Sequence, residues 1–438
     1  MFDLPKYGDG ICLARLADLL DALAIDRTWL QSVSVVVTGS NGKGSTAAMC
    51  AQTGRAYGLR TGLFTSPHLL RFNERVQIDG VEVGDDALLR LKLRIDAAIA
   101  TVSKSMGEKF GAFEALFALA CLHFQESECD FAVFEAGIGG RYDPVRLIGA
   151  RETCVTSVDY EHVELLGNSL ELIVSDKSDA CAAGGTIVYG ENCRDLRPHL
   201  VEYNRVRGCT PLFVRDDIHI DNEVAAASGQ HFDFQFGYHD FRGVEVNLPG
   251  AFQFNNAAIA VTLFLLWLQR EQPRKAPERI EAAIRAGLRD ARWPGRLEVI
   301  SQDPLTVIDV GHTPDGIRQS LASLMAIHGA DGWILVTGAS RDKKADEIVG
   351  ALAPSFDTII CTAAHHKGAD AEDIAAAARR ANPGANIQLA ATIEEAARLS
   401  QETAAAQQRR IYVAGGLFLA IEYATAIRGG RPQDLRFF

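Results

Sequence analysis

The sequence predicts an α/β protein of two domains: a phosphate-loop domain carrying a small side β-sheet, then a doubly wound, Rossmann-like α/β domain. Three observations predict it. At 438 residues the chain is too long for one ordinary core. Short β-rich runs alternate with helix-period segments through both halves, as in a mostly parallel sheet. The periodicity then breaks at Pro294-Gly295, which puts a hinge at about 289–297 and domains over 1–290 and 297–438.

Residues 33–37 (Val-Ser-Val-Val-Val) read as a buried strand, and 45–57 as a helix opening on a Ser-Thr cap. Residues 131–135 and 153–158 are further strands. From 217 to 246 aromatics alternate with polar residues (Phe232, Phe234, Phe236, Tyr238), the mark of antiparallel strands in a small side sheet. A buried helix follows over 253–269. Beyond the hinge, 305–309, 333–337, 357–361, 387–391 and 411–413 are strands, each followed by a helical stretch.

Composition narrows the function. With 47% hydrophobic and 23% charged residues the chain is of ordinary globular type. A net charge of −12 argues against nucleic-acid or anionic-membrane partners, though a local basic site can still take an anionic small molecule. The start, Met1-Phe2-Asp3-Leu4-Pro5-Lys6, has no basic run before an apolar one, so no leader is expected. The longest apolar run, 257–268, falls short of the roughly 20 residues that cross a bilayer. Nine cysteines with no C-x-x-C pair read as reduced core thiols, and the expected compartment is the cytoplasm.

The strongest local signal is Thr38-Gly39-Ser40-Asn41-Gly42-Lys43-Gly44-Ser45-Thr46, between strand and helix. Glycines let the backbone curl until its N–H groups face an anion. The helix N-terminus adds partial positive charge and Lys43 a full one. A plain glycine-rich turn is the bland alternative; the strand before, the lysine within and the hydroxyls after argue against it. The spacing departs from an ordinary Walker A, since residue 37 is Val and Gly44 separates Lys43 from the hydroxyls.

Further segments follow in order: Thr65-Ser66-Pro67-His68-Leu69, Arg71-Phe72-Asn73-Glu74-Arg75, Phe113-Glu114, Glu135-Ala136-Gly137-Ile138-Gly139-Gly140-Arg141 and Thr156-Ser157-Val158-Asp159-Tyr160-Glu161-His162. After them come Trp293-Pro294-Gly295-Arg296-Leu297-Glu298, Asp309-Val310-Gly311-His312-Thr313-Pro314 and Asp342-Lys343. With the phosphate loop, these resemble the motifs of the folylpolyglutamate synthase/dihydrofolate synthase family within the Mur-ligase superfamily, over nearly the whole chain. The first domain then resembles a Mur-ligase central domain.

That resemblance implies an ATP-dependent ligase that activates a carboxylate as an acyl phosphate and joins it to an amino acid, L-glutamate in the family. It implies ATP and Mg²⁺ as cofactors, with two metal sites. Gly39, Ser40, Asn41, Gly42, Lys43, Gly44, Ser45 and Thr46 would hold the phosphates, with Asn256 on the adenine, Arg296 on the phosphates and Asp309 on the ribose. Ser66, Glu135 and His162, with Ser45 as a further candidate, would hold metal. Lys177 matches a lysine that is carbamylated in the family and supports a second magnesium; an unmodified Lys177 in an ion pair would count against this. Lys43, Lys177 and His312 are the expected catalytic groups. Phe113, Glu114, Tyr142, Asp143, Pro144, His312 and Lys343 are the expected substrate contacts. By themselves, Glu135 could be a strand-end cap, His162 a solvated loop histidine and Lys177 a plain surface lysine. Partners would be small molecules only, and the protein a monomer.

Departures from the family pattern gather on the acceptor side. Bifunctional members carry an N-terminal helix and loop that this chain is expected to lack. The family's D-A-T-N is here Asp143-Pro144-Val145-Arg146, and Glu161 stands where Asp precedes the histidine. These favour a changed acceptor pocket and raise a second possibility, a divergent paralogue acting on a non-folate acid. A nucleotide-binding regulator or non-catalytic homologue is the alternative of another class.

Overall fold

The computed structural model describes residues 4–5, 8–10, 12–226, 229–271, 277–341 and 345–437. Runs that are apolar throughout become inner strands buried on both faces. The first sheet comprises β1 (Ser34–Thr38), β2 (Thr61–Phe64), β3 (Val76–Ile78), β4 (Val81–Glu82), β5 (Phe131–Glu135), β6 (Glu152–Val155), β7 (Thr186–Tyr189) and β8 (Thr210–Phe213). Its order is β4-β3-β2-β5-β1-β6-β7-β8. All neighbours are parallel except the β3–β4 hairpin, which joins the β2 edge antiparallel.

This order puts the functional end of the sheet where the sequence requires it. The chain leaves β1 for β2, returns through β5 beside β1, and then crosses to β6 on the other side. The reversal opens a crevice at the carboxyl ends of β1, β5 and β6, where open α/β sheets bind ligands. The phosphate loop, Glu135 and residues 156–162 all leave from those ends.

A second, 3-stranded antiparallel sheet follows, built from β9 (His219–Ala226), β10 (Gly229–Phe236) and β11 (His239–Glu245). Phe232, Phe234 and Phe241 point inward, and Phe232 meets Phe254 at 5.5 Å between ring centroids. Tyr238 does not belong to the inward face: it lies in the turn, 80% exposed. The helix Phe252–Glu271 is long and apolar enough to cross a membrane by length and composition, but 78% of its apolar window is buried inside the protein. It is the core helix between the first sheet and the side sheet.

The third sheet contains β12 (Glu298–Gln302), β13 (Leu305–Asp309), β14 (Trp333–Thr337), β15 (Thr358–Cys361), β16 (Asn386–Leu389) and β17 (Arg410–Ala414), in the order β12-β13-β17-β14-β15-β16. Only β12 is antiparallel to its neighbour. The helix Pro277–Asp290 ends before the Pro294-Gly295 break, and β12 opens at Glu298. Helices cover both faces of this sheet and divide its core into two clusters.

The helix after the phosphate loop runs Lys43–Ala56, two residues earlier than a Ser-Thr cap would start it. Gly42 is its N-cap, in the left-handed region at φ 86°, with no side-chain cap. The free N–H groups of its first turn therefore face the loop.

Candidate active site

Three glycines make the loop possible. Gly39 has φ 138°, and a Cβ there would lie 1.9 Å from Thr156 Oγ1. A Cβ on Gly42 would lie 2.5 Å from Asn256 Oδ1. One on Gly44 would meet the Trp293 indole at 2.5 Å. The unusual loop spacing thus has a cause: Gly44 is where the hinge aromatic seats.

The residues after β6 hold the loop open. Ser40 N–H donates to Ser157 O at 2.9 Å, and Asn41 N–H to Ser157 Oγ at 2.8 Å. Thr156 Oγ1 donates to Asn41 O at 2.6 Å. Lys43 Nζ arches back to Gly39 O at 2.8 Å and Ser40 O at 3.3 Å. Two buried polar atoms here have no partner, Asn41 Nδ2 and Thr46 Oγ1. Such atoms are rare in native proteins and point to a polar ligand.

Glu135 ends β5, 4% exposed, and accepts the Ser66 N–H at 3.1 Å. Burial raises its carboxyl to about 7, against the pull of Lys43, the Ser66 N–H, Arg296 and Arg75. Cations of the first domain and of the hinge therefore act on one carboxylate. Ser45 Oγ is within 3.4 Å of Gln253 Nε2, and Asn256, 3% exposed, bonds Gln253 Oε1 at 2.9 Å. The first turn of the core helix thus abuts the loop.

His162 is exposed, with φ 46°, at the start of the short helix Val163–Leu166. Its neighbour Glu161 receives Lys177 Nζ at 2.7 Å, both side chains being nearly buried. Burial acts to raise the Glu161 carboxyl, but Lys177 and Lys43 outweigh it and hold it at about 2. This ion pair holds the unmodified Lys177 side chain beside the phosphate end of the site. The extra methylene of Glu161 over Asp gives it the reach.

Several expected substrate contacts are held by hydrogen bonds within the fold. Glu114 binds the fully buried Arg15 guanidinium at 2.9 Å and accepts Gly111 N–H at 2.7 Å, capping the helix Ala112–Glu126. Removing Glu114 leaves the buried Arg15 only the more exposed Glu108, 3.1 Å away, as its counter-charge. Glu114→Ala should therefore lose about 3 kcal/mol of stability, read by denaturant melts, while kcat per folded molecule stays within about threefold. Asp143 accepts the N–H groups of Gly137, Ile138 and Val145 at 2.9–3.1 Å, and Pro144 is buried behind it. Burial raises the Asp143 carboxyl to about 6. The departure from D-A-T-N is thus an internal turn, with only Arg146 exposed. Tyr142, 55% exposed, does face outward, and the Phe113 ring covers Gly137.

From the second domain, Asp309 is 1% exposed and accepts Leu297 N–H at 3.2 Å and Gly311 N–H at 2.8 Å. Its carboxylate fastens the hinge through these two bonds. Arg296 is half-buried, and its charge acts on both Glu135 and Asp309. His312 is half-buried in the loop before the helix Pro314–His328, and Lys343 lies outside the described residues. Thr313 Oγ1 reaches Asn41 Oδ1 at 3.1 Å, a contact between the domains that no motif announced. Among the described residues no group of three His, Cys, Asp or Glu side chains forms a ready-made metal cage.

The sequence and the fold have known counterparts. Residues 295–417 match the family model for the Mur ligase, glutamate ligase domain. The chain is 31% identical to folylpolyglutamate synthase of Lacticaseibacillus casei over 357 residues, 81% of each chain. It is 29% identical to the Bacillus subtilis dihydrofolate synthase/folylpolyglutamate synthase over 350 residues, 79% of this chain and 80% of that one. The crystal structure of Mycobacterium tuberculosis folylpolyglutamate synthase complexed with ADP and AMPPCP superimposes with a TM-score of 0.85 at 26% identity, covering 97% of this chain and 96% of that one.

Proposed function

Because the chain belongs to the folylpolyglutamate synthase family of Mur ligases, we propose that it adds L-glutamate to a folate-type carboxylate with cleavage of ATP. The observation that carries this is the buried Glu135 at the end of β5, bonded to the Ser66 N–H beside the phosphate loop, with Lys43, Arg75 and the hinge residue Arg296 acting on its charge. Phosphoryl transfer needs positioning and charge neutralisation more than covalent help from the protein. A carboxylate oxygen of the acceptor takes the γ-phosphoryl group, giving acyl phosphate and ADP. The amino nitrogen of glutamate then attacks the acyl carbon and loses a proton, and the C–O bond to phosphate breaks.

The loop N–H groups and Lys43 would bind the β- and γ-phosphates, with Arg296 closing on them from across the hinge. A divalent metal fits the donors on hand: the Glu135 carboxylate, the Ser45 and Ser66 hydroxyls, and the exposed His162 imidazole. Magnesium bound there would neutralise phosphate charge. Carbamylation of the buried Lys177 would turn its ion pair with Glu161 into a pair of carboxylates able to hold a second ion. Tyr142 and Tyr160, both more than half exposed on the loops after β5 and β6, suit a flat heteroaromatic acceptor. With Asp143 and Pro144 turned inward, the non-family turn is no obstacle to a folate. We further propose that the protein acts as a monomer in the cytoplasm.

The test is phosphate release in the presence of ATP, magnesium, glutamate and a folate or pteroate. Release that requires both carboxylate and amine supports the ligase. Release from ATP alone would favour a nucleotide switch. Turnover with other acids but none with folates or pteroates would replace the acceptor while leaving the ligase.

A further inference from the structure

We propose that His68 and Arg75 are positioning residues that tie the loop bearing Ser66 to the second domain, gripping residues 435–437 as a strap across the interdomain cleft. The loop over 65–75 is stiff. Thr65 N–H donates to Arg75 O at 3.0 Å and closes its base. The Glu74 carboxylate accepts the N–H groups of Leu69, Leu70 and Arg71 at 2.7, 2.8 and 2.6 Å. A force on one part of such a loop moves the rest. At one point Ser66 N–H meets Glu135; nearby, His68 and Arg75 face the strap.

The hydrogen bonds fix the imidazole's tautomer. Arg75 Nε donates to His68 Nδ1 at 2.7 Å, so the ring proton is on Nε2, which donates to Arg436 O at 2.6 Å. Arg75 Nη2 donates to Phe437 O at 3.3 Å. His68 is 2% and Arg75 7% exposed, with the Phe72 ring 5.5 Å from the guanidinium and 6.0 Å from the imidazole.

The strap is anchored on the other side. Phe437 is 2% exposed, its ring 4.8 Å from Phe418 and 5.1 Å from His366, in the core cluster that also takes Leu435 and, from the first domain, Leu69. Opening the cleft would withdraw the strap carbonyls and leave two buried donors unpaired. Arg75 is also among the cations acting on Glu135. Interactions completed only on closure are spent on the chemical step and leave nucleotide capture by the first domain unchanged.

The catalytic consequence rests on the ligase reading above; the mechanical one does not. The experiment compares His68→Ala, His68→Gln and Phe437→Ala in the full chain. It measures kcat, the Kd of a non-hydrolysable ATP analogue with magnesium, and the radius of gyration by small-angle scattering with that analogue bound. The two alanine variants should lower kcat about tenfold or more, leave nucleotide Kd within about threefold and enlarge the particle. Gln keeps an N–H donor and an acceptor in place of the imidazole nitrogens and should recover most of both losses. His68→Ala acts in the first domain and Phe437→Ala in the core of the second, so one remains informative where the other fails to fold. Parent-like kcat and particle size in both alanine variants would overturn the strap, and so would nucleotide affinity falling in step with kcat or Gln performing no better than Ala. Should the parent enzyme prove not to be a ligase, particle size and the Gln-against-Ala contrast still decide it.

Discussion

Lys43→Ala should abolish ligation, with kcat falling at least about a thousandfold, equivalent to roughly 4 kcal/mol of transition-state stabilisation. The size of the effect follows from where the ammonium stands. It arches over the loop onto Gly39 O and Ser40 O, at the mouth of a helix whose N-cap offers no side chain. No other lysine or arginine belongs to the loop. The fold should survive, since only two hydrogen bonds to loop carbonyls are lost, each worth about 1 kcal/mol. A melting temperature within a few degrees of the parent, with single-turnover assays showing no acyl phosphate, is the expected pair of results. Retained turnover would move the phosphate site elsewhere.

Glu135→Gln should be inactive yet more stable than the parent at alkaline pH. Burial lifts this carboxyl from 4.5 to about 7 in the folded chain. The folded form therefore holds its proton in a window where the unfolded chain has released it. Stability declines as pH rises from about 4.5 to 7 and stays lowered above that, by up to about 3 kcal/mol in total. An amide does not ionise, so the variant escapes this decline. Denaturant midpoints at pH 5 and pH 8, without nucleotide or metal, should diverge in the variant's favour at the higher pH. Turnover should fall by about a hundredfold or more, because the proposed metal would lose a carboxylate ligand. A parent whose stability is flat from pH 5 to 8 would show that Glu135 is hydrated and ordinary. This group trades stability for function.

Much of this was legible in the sequence because it rests on local rules. The strands at 131–135, 305–309 and 333–337 are short, mostly apolar, β-rich runs that the fold buries, so their pattern alone found them. The phosphate loop announces itself by glycine, lysine and hydroxyl spacing. What escaped depends on partners far away in the chain. The β3–β4 hairpin is an edge of short strands, and β12 is a polar strand that pairs on one side only; neither carries a strong pattern. Glu114 and Asp143 lie in motifs, but a carboxylate reads the same whether it faces a ligand or backbone N–H groups. Arg15, 99 residues from Glu114, decides the matter only in three dimensions. Likewise His68 and Arg75 stood in quoted motifs, and the carbonyls they hold lie 368 and 362 residues away.

The seat of Trp293 on Gly44 has an optical consequence. The chain has four tryptophans, of which Trp267 and Trp333 are sealed in cores. Trp293 is half-buried, on the hinge, with its indole against the first turn of the nucleotide helix. Its emission is therefore an intrinsic gauge of that junction, sensitive both to a polyanion arriving at the loop and to the hinge swinging away. Occupancy and domain movement could then be followed in real time on the unlabelled protein, by the same aromatic ring that forces residue 44 to be glycine.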